Sequence, residues 1–447
     1  MSRLGEIKQT HIQIAPRNPV PGGKDFIIGD VHGGLDAFTG VQQNLAIPGD
    51  RLFIAGDMVD RGEGSVEVVR RIVENNAKKG KGKIYCVRGN HEDMCVNAIG
   101  KLSLLTEFKF SETYEESTLL CLYALKLRAN EDDRLRLIME NKVIQYFLGD
   151  ILKAGEKIYK KTFGDDDISA VDVTKNLDVL NLTETYANLQ GEMTDLAQVI
   201  FDYEYNGGEW LLKLFLEELS DKQKKITVND KCSVEFSESS DIKMISDFLG
   251  PLPYIIHVEA EIPFNVVHAD MPFSDEVLIA RVLMNMGMTE EEIEYATWAR
   301  KQGSHILIRK LPGRDAYTYL VYVGHSINDN VRADTNTINL DVGAWYNKIT
   351  LMVNHSDLKC YIVNETAHVD HDELIKIKMV LAATQLQLDK QKLLTANRFD
   401  NKLKAVEEKR IKESTRNNTI FTRKPADKDM QAAKRKLRKW VRNKPAQ

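Results

Sequence analysis

Three short clusters of acidic, histidine and amide residues stand early in the chain. They are Gly29-Asp30-Val31-His32-Gly33, Gly56-Asp57-Met58-Val59-Asp60-Arg61-Gly62 and Arg88-Gly89-Asn90-His91-Glu92. Asp, His and Asn carry the oxygen and nitrogen donors that suit Mn, Fe or Zn, and no cysteine stands among them. The glycines beside them let the backbone turn sharply and set short side chains on a cation. Two further histidines follow apolar runs much later, in Val266-Val267-His268-Ala269-Asp270 and Tyr322-Val323-Gly324-His325-Ser326. Either of these alone reads better as a structural histidine. Three ordered clusters, each behind an apolar run, are not accounted for by packing.

The elements that must hold these residues alternate in type. Phe26-Ile27-Ile28, Leu52-Phe53-Ile54 and Ile84-Tyr85-Cys86-Val87 read as strands running into the three clusters. Between them, Gly64 to Asn75 places Val66, Val69 and Ile72 on one helical face. Alternation of this kind implies a layered α/β core with ligand residues on loops at strand ends. From Glu107 to Ile200 the spacing turns helical, through Leu119, Leu122, Tyr123 and Leu127, then Val143, Phe147, Ile151 and Leu152, with a break at Asp165-Asp166-Asp167. Strand signals return at Tyr254 to Val258, Val266-Val267, Tyr319 to Val323, Ile338 to Leu340 and Cys360 to Val363. After Asp372 the chain reads as helical and charged. Leu374, Leu381 and Leu388 are seven apart, but Thr384 and Gln391 spoil the companion seam, so a packed helix is expected there rather than a coiled coil.

The bulk composition narrows the class. At 447 residues, 43% hydrophobic and 28% charged, the chain has the make-up of a globular protein of two or three domains, or one large domain with additions. Its net charge of −5 gives no global nucleic-acid footprint, and no specific nucleic-acid binding is expected. The charge is unevenly spread. Residues 401–447 hold 16 Lys and Arg against 5 Asp and Glu, a net +11 that leaves −16 on the rest. Five unpaired cysteines without a CxxC spacing suggest reduced thiols and a cytoplasmic location. The first residues carry no apolar signal region, and no apolar run is long enough to span a membrane.

The blocks GDVHG, GDMVDRG and RGNHE resemble the three signature blocks of the phosphoprotein phosphatase (PPP) family of metallophosphatases, and the two later histidines are similar to that family's downstream metal ligands. The resemblance covers residues 25–100 and 205–355. It implies a calcineurin-like metallophosphoesterase fold, a central β-sandwich flanked by helices. Here that fold would carry a helical insertion and a helical C-terminal extension. The expected domains are a discontinuous catalytic domain at 1–100 and 201–365, the insertion at 101–200 and the basic extension at 366–447.

Carried over residue by residue, the match implies two divalent metal ions, with Mn expected and Fe or Zn as alternatives. Asp30, His32 and Asp57 would hold one, and Asp57 would bridge to a second held by Asn90, His268 and His325. A bridging carboxylate holds two cations about 3.5–4 Å apart against their repulsion. His91 would protonate the leaving oxygen, oriented by Asp60. Arg61 matches a phosphate-binding arginine. Arg300, in Thr297-Trp298-Ala299-Arg300, resembles the Trp-Ser-Arg element of bacterial and phage members, with alanine in place of serine. Guanidinium groups suit bidentate contact with phosphate oxygens. For Arg88 a structural role is expected.

Asn206-Gly207-Gly208-Glu209-Trp210 also resembles a bacterial and phage segment, but lies 115 residues after His91, which points to the insertion. The eukaryotic Ser-Ala-Pro-Asn-Tyr-Cys segment has no match, Gly-His-Ser replaces Gly-His-Thr, and Ala-Asp follows His268 as in bacterial and phage members. The large insertion is similar to that of effector phosphatases which intracellular bacteria deliver into host cells.

The implied activity is metal-dependent hydrolysis of a phosphomonoester, in a protein carrying phosphoserine, phosphothreonine or phosphotyrosine. A hydroxide held between the metals attacks phosphorus in line with the leaving group. An alternative is symmetrical hydrolysis of dinucleoside tetraphosphates, whose enzymes resemble Gly-Asn-His-Asp at the third block where this chain has Glu92. An alternative of another class is an inactive metallophosphatase scaffold used for binding. The basic run Ala433 to Arg442, with Leu437, Trp440 and Val441, suits an anionic membrane surface, RNA or a protein partner, or else a solvated end.

Overall fold

The structure is a computed structural model that describes residues 11–45, 48–78, 80–111, 114–129, 132–164, 176–229, 233–300, 319–328, 332–334 and 337–363. The Asp165–Asp167 break, the leucine heptads after Asp372 and the basic tail lie outside these residues. Among the described residues no helix is long and apolar enough to cross a membrane.

In chain order the strands are β1 (Ile12–Ala15), β2 (Asp25–Ile28), β3 (Arg51–Ile54), β4 (Ile84–Cys86), β5 (Ile226–Val228), β6 (Val234–Phe236), β7 (Ile255–Val258), β8 (Phe264–Val267), β9 (Leu320–Val323), β10 (Arg332–Asp334), β11 (Thr337–Asn339), β12 (Thr350–Asn354) and β13 (Lys359–Val363). The chain divides into two compact units. Among the described residues, one comprises 11–93 and 248–363, the other 94–247.

The first unit holds two sheets, ordered β1-β7-β8-β9-β11-β10 and β13-β12-β2-β3-β4. In the second of these, β2, β3 and β4 run parallel, with Ile27 opposite Phe53 and Phe53 opposite Tyr85. β12 joins β2 antiparallel, Val353 opposite Ile27. Alternate residues face inward: Ile27, Phe53 and Val353 from one sheet and Ile256, Val266 and Tyr322 from the other share one buried core. Full burial of such a side chain contributes about 1.5–3 kcal/mol, so this shared face is a major source of the unit's cohesion.

The opposite faces are covered as well. Ile255, Val267, Val321 and Val323 pack with Leu278, Met288 and Ala296. On the other sheet, helix Leu35–Asn44 lies against β12 and β13, and Ser65–Ala77 against β4. Burial on both faces explains why these strands read as continuous apolar runs rather than alternating ones.

The second unit is mainly helical. Helices Glu116–Arg128 and Lys142–Phe163 pack along Leu119, Leu122, Tyr123, Val143, Phe147 and Ile151, the positions whose spacing marks them as helical. Asn141 caps the longer helix by accepting from Val143 N and Ile144 N. Helix Thr183–Tyr205 ends at Asn206, and Glu209–Ser220 follows. The hairpin β5–β6 completes the described part.

Candidate metal centre

Six strands of the first unit deliver polar side chains from their C-terminal ends. β2 leads to Asp30 and His32, β3 to Asp57, Asp60 and Arg61, and β4 to Asn90 and His91. β8 leads to His268, β9 to His325 and β11 to Asp341. Such ends are where α/β folds bind ligands, because a rigid sheet holds short loops whose side chains need no packing of their own.

The loops are tightly laced. Val31 N and His32 N donate to Asp57 O, Gly33 N to Met58 O, and Gly62 N to His32 O. The Glu92 carboxylate, fully buried, accepts from Asp57 N (2.8 Å), Met58 N (2.7 Å) and Gly89 N (2.8 Å). Lacing of this kind sustains backbone that is costly elsewhere. His32, Asp57, Asp60, Arg61 and His325 all adopt positive φ, at about 1–3 kcal/mol each. At two of the glycines a Cβ would strike a donor carboxylate. A Cβ on Gly89 would lie 2.2 Å from Asp57 Oδ1, and one on Gly324 would lie 1.8 Å from Asp30 Oδ1.

Two groups of donor atoms result, with Asp57 in both. Its Oδ1 accepts from His91 N at 3.1 Å. Its Oδ2 lies 3.5 Å from His32 Nε2 and 3.2 Å from His268 Nε2. His32 Nε2 also faces Asp30 Oδ2 at 3.8 Å. His268 Nε2 lies 2.9 Å from Asn90 Oδ1 and 3.1 Å from His325 Nδ1. The structure thus brings together Asp30, His32, Asp57, Asn90, His268 and His325, from stretches almost 300 residues apart.

The donor chemistry fits divalent cations. His32 Nδ1 rests on Val59 O at 2.9 Å and His268 Nδ1 on Ala55 O at 2.8 Å. An N–H donated to a carbonyl leaves the lone pair on Nε2, and both Nε2 atoms face the cluster. Around His268 Nε2, the atoms Asp57 Oδ2, Asn90 Oδ1 and His325 Nδ1 are all natural lone-pair bearers. Asp30, Asp57, Asp60, Glu92 and Asp341 are each at most 3% exposed, so the pocket gathers buried negative charge that a cation offsets.

The ionisation tendencies follow from this crowding. Burial, then the Asp341 and Asp57 charges, push Asp30 well above the usual carboxylate range. Burial also opposes ionisation of Asp57, but the positive fields of His268, His91 and His32 outweigh it and hold that carboxyl well below its ordinary value. Burial and then the Asp57 charge raise Glu92 to about 7. Burial drives His32 well down, and burial with the nearby His268 pushes His325 to about 3. For His268 the Asp57 carboxylate reverses the effect of burial, and the net shift is upward.

Beside the donors stands a hydrogen-bonded row. Asp60 Oδ2 lies 2.8 Å from His91 Nδ1, and Arg61 Nη2 lies 3.2 Å from His91 Nε2. His91 also falls within one donor group, with His32 and Asp57, so proximity alone does not separate it from the ligands. Arg61 is exposed, and its charge reaches Asp30 and His32.

A capping box between Thr289 and Glu292 starts helix Glu290–Trp298, and Ala269 N donates to Ala296 O near its end. Arg300 follows two residues later, exposed, with its charge acting on His325, and the Trp298 ring lies 6.0 Å from the His325 ring. Arg88 is engaged elsewhere, ion-paired with Asp93 and donating to Gly250 O at 3.0 Å.

Asn339, Asp341 and the full reach of Glu92 are absent from the sequence-level site. Asp341 is 1% exposed; its Oδ1 accepts from Gly343 N at 2.9 Å, and its charge acts on Asp30. The available signal was an Asn-x-Asp-x-Gly run after a short strand.

Residues 26–178 match the family model for calcineurin-like phosphoesterases. The chain has the calcineurin-like metallophosphoesterase α/β fold expected from its motifs, and the chemistry of the family matched over residues 26–178 is metal-dependent phosphoester hydrolysis at a dinuclear divalent centre. Among solved structures, a protein provisionally named a diadenosine tetraphosphatase aligns at 14% identity and TM-score 0.38, over 80% of this chain and 100% of that one. The cold-active protein-tyrosine phosphatase of a psychrophilic Shewanella species aligns at 12% identity and TM-score 0.31, over 79% and 81%. A protein serine/threonine phosphatase from Saccharomyces cerevisiae aligns at 12% and 0.34, over 81% and 87%. Likenesses this distant do not select a substrate. Comparison with the curated proteins finds no match.

Proposed function

We infer that this chain is a phosphoprotein phosphatase, hydrolysing phosphoserine, phosphothreonine or phosphotyrosine. The observation that carries the reading is the Asp57 carboxylate, common to two donor groups, with the Asp60–His91–Arg61 row beside it. Asp30, His32 and Asp57 would hold one divalent cation, and Asp57, Asn90, His268 and His325 the other, with manganese the expected metal. Bound there, the cations would supply Lewis acidity toward the phosphate and lower the pKa of water.

The protein's own groups do the rest. Arg61 and Arg300 bind the equatorial phosphate oxygens, and the Asn90 carboxamide helps orient them. His91 gives a proton from Nε2 to the leaving oxygen, while Asp60 holds Nδ1–H and stabilises the imidazolium. In the free protein Arg61 donates to that same Nε2. A guanidinium there repels a metal cation, which favours the acid role over the ligand role for His91. Arrival of phosphate would draw Arg61 away and let Nε2 take up from solvent the proton that it then delivers to the leaving oxygen.

In the same reading, 101–200 is a helical insertion into a catalytic domain formed by 1–100 and 201–365. The basic 366–447 extension contacts a membrane surface or a protein partner, and the protein works in the cytoplasm, its own or a host's. The deciding experiment is a panel of phosphoserine, phosphothreonine and phosphotyrosine peptides with added Mn²⁺, run beside a dinucleoside tetraphosphate. Release of phosphate from at least one peptide, well above the rate on the tetraphosphate, is expected. Selective cleavage of the tetraphosphate would move the assignment to nucleotides. No hydrolysis of any substrate, nor of p-nitrophenyl phosphate with Mn, Fe or Zn, would make the domain a binding scaffold.

A further inference from the structure

The three imidazoles assigned to the cations, His32, His268 and His325, are not held alike. His32 and His268 each rest Nδ1 on a backbone carbonyl, which fixes both tautomer and ring direction. His325 shows no such support among the described residues, where its Nε2 is enclosed but unpartnered. Its Nδ1 meets His268 Nε2 at 3.1 Å and its ring meets the Trp298 ring, neither of them a backbone anchor, so its placement leans on the backbone that carries it, which is left-handed, at φ 68°.

One side chain brackets it. Asn339 closes β11 and is 6% exposed. Its Nδ2 donates to Gly324 O at 3.1 Å and to Ser326 O at 3.2 Å, the carbonyls immediately before and after His325. Its Oδ1 accepts from Asp341 N at 2.8 Å, anchoring the amide. A short carboxamide offers two donors and an acceptor together, which neither aspartate nor leucine can do. The bracket closes on the donor groups themselves. His325 N donates to both oxygens of Asp30 at 3.0 Å, and Gly324 N donates to His268 O at 2.8 Å.

We propose that Asn339 is a positioning residue for the second cation: by clamping the carbonyls on either side of His325 it holds that residue in its left-handed turn and aims Nδ1 at His268 and Asp57. The inference rests on His325 being a ligand of that cation. It assigns Asn339 no contact with substrate.

The test uses the full chain, stripped with chelator and titrated with Mn²⁺ by calorimetry. Wild type is expected to take up two ions, and His325→Ala identifies the step that depends on His325. Asn339→Leu keeps the volume without the hydrogen bonds. Asn339→Asp keeps the shape but sets a carboxylate against two carbonyls. Both should weaken the His325-dependent step by about tenfold or more, the usual effect of losing an outer-shell partner. The other step should stay within about threefold. Asn339→Ser, with one donor, should fall between and serves where the bulkier changes prevent folding. Thermal unfolding of the metal-free proteins reports any general loss of stability, which would not single out one step. Unchanged affinity at both steps in folded variants would overturn the role of Asn339 while leaving the two-cation reading intact. A wild type that binds a single ion, or a His325→Ala protein that still binds two, would overturn that reading and this inference with it.

Discussion

The two donor groups share Asp57 yet are built by different means. On the His32 side, the ligands proposed for the cation all come from the first two clusters, and the loops are tied by backbone hydrogen bonds from Val31, His32 and Gly33 to Asp57 and Met58. On the His325 side, residues separated by as many as 295 positions are joined through side chains: Asp30 to His325 N, Asn90 to His268, and Asn339 to the carbonyls around His325. Backbone lacing tolerates substitution of individual side chains. A side-chain bracket does not, because one exchange removes several bonds. The His32 group is accordingly the sturdier half, and the His325 group the half open to tuning.

The sharpest attack on this contrast is at the shared residue. Asp57→Asn should weaken both Mn²⁺ steps and slow hydrolysis of p-nitrophenyl phosphate on the order of a thousandfold, the loss of several kcal/mol of charge stabilisation. Loss of only one step by calorimetry would mean that Asp57 is not held in common. His91→Ala should slow turnover by about a hundredfold through loss of the proton donor, while two metal ions per chain persist in elemental analysis. Metal loss in that variant would return His91 to the ligands of the His32 group. The smallest effect is expected from Ile27→Val, between the sheets and outside both groups. It should cost about 0.5–1.5 kcal/mol in urea unfolding and leave both Mn²⁺ steps unchanged. A shift in one step alone would show that core packing, not local bonding, sets the difference.

The same division governs what could be read without coordinates. The first three clusters were legible because each lies directly behind an apolar strand, so motif and scaffold occur together in the sequence. His268 and His325 acquired meaning only through resemblance to a family, since nothing local distinguishes them from structural histidines. Asn339 and Asp341 went unread because their roles depend on Gly324, Ser326 and Asp30, and no periodicity marks them. Strands divided similarly. β2, β3 and β4 show continuous apolar runs, whereas β1 and β12 were not anticipated. β1 is a short segment whose partner β7 lies some 240 residues on, and β12 pairs with β2 from the far end of the described chain. Helices such as Lys142–Phe163 were visible throughout, because a 3.6-residue repeat is a local property.

Because the ligand-bearing loops all leave from strand C-termini, the turns at the other ends are excused from chemistry. Gly80 sits in one of these, ahead of β4, with positive φ and open space where a side chain would project. A fluorophore, an affinity handle or a surface tether grafted at that turn would sit at the strand end opposite the donor groups and leave their loops untouched.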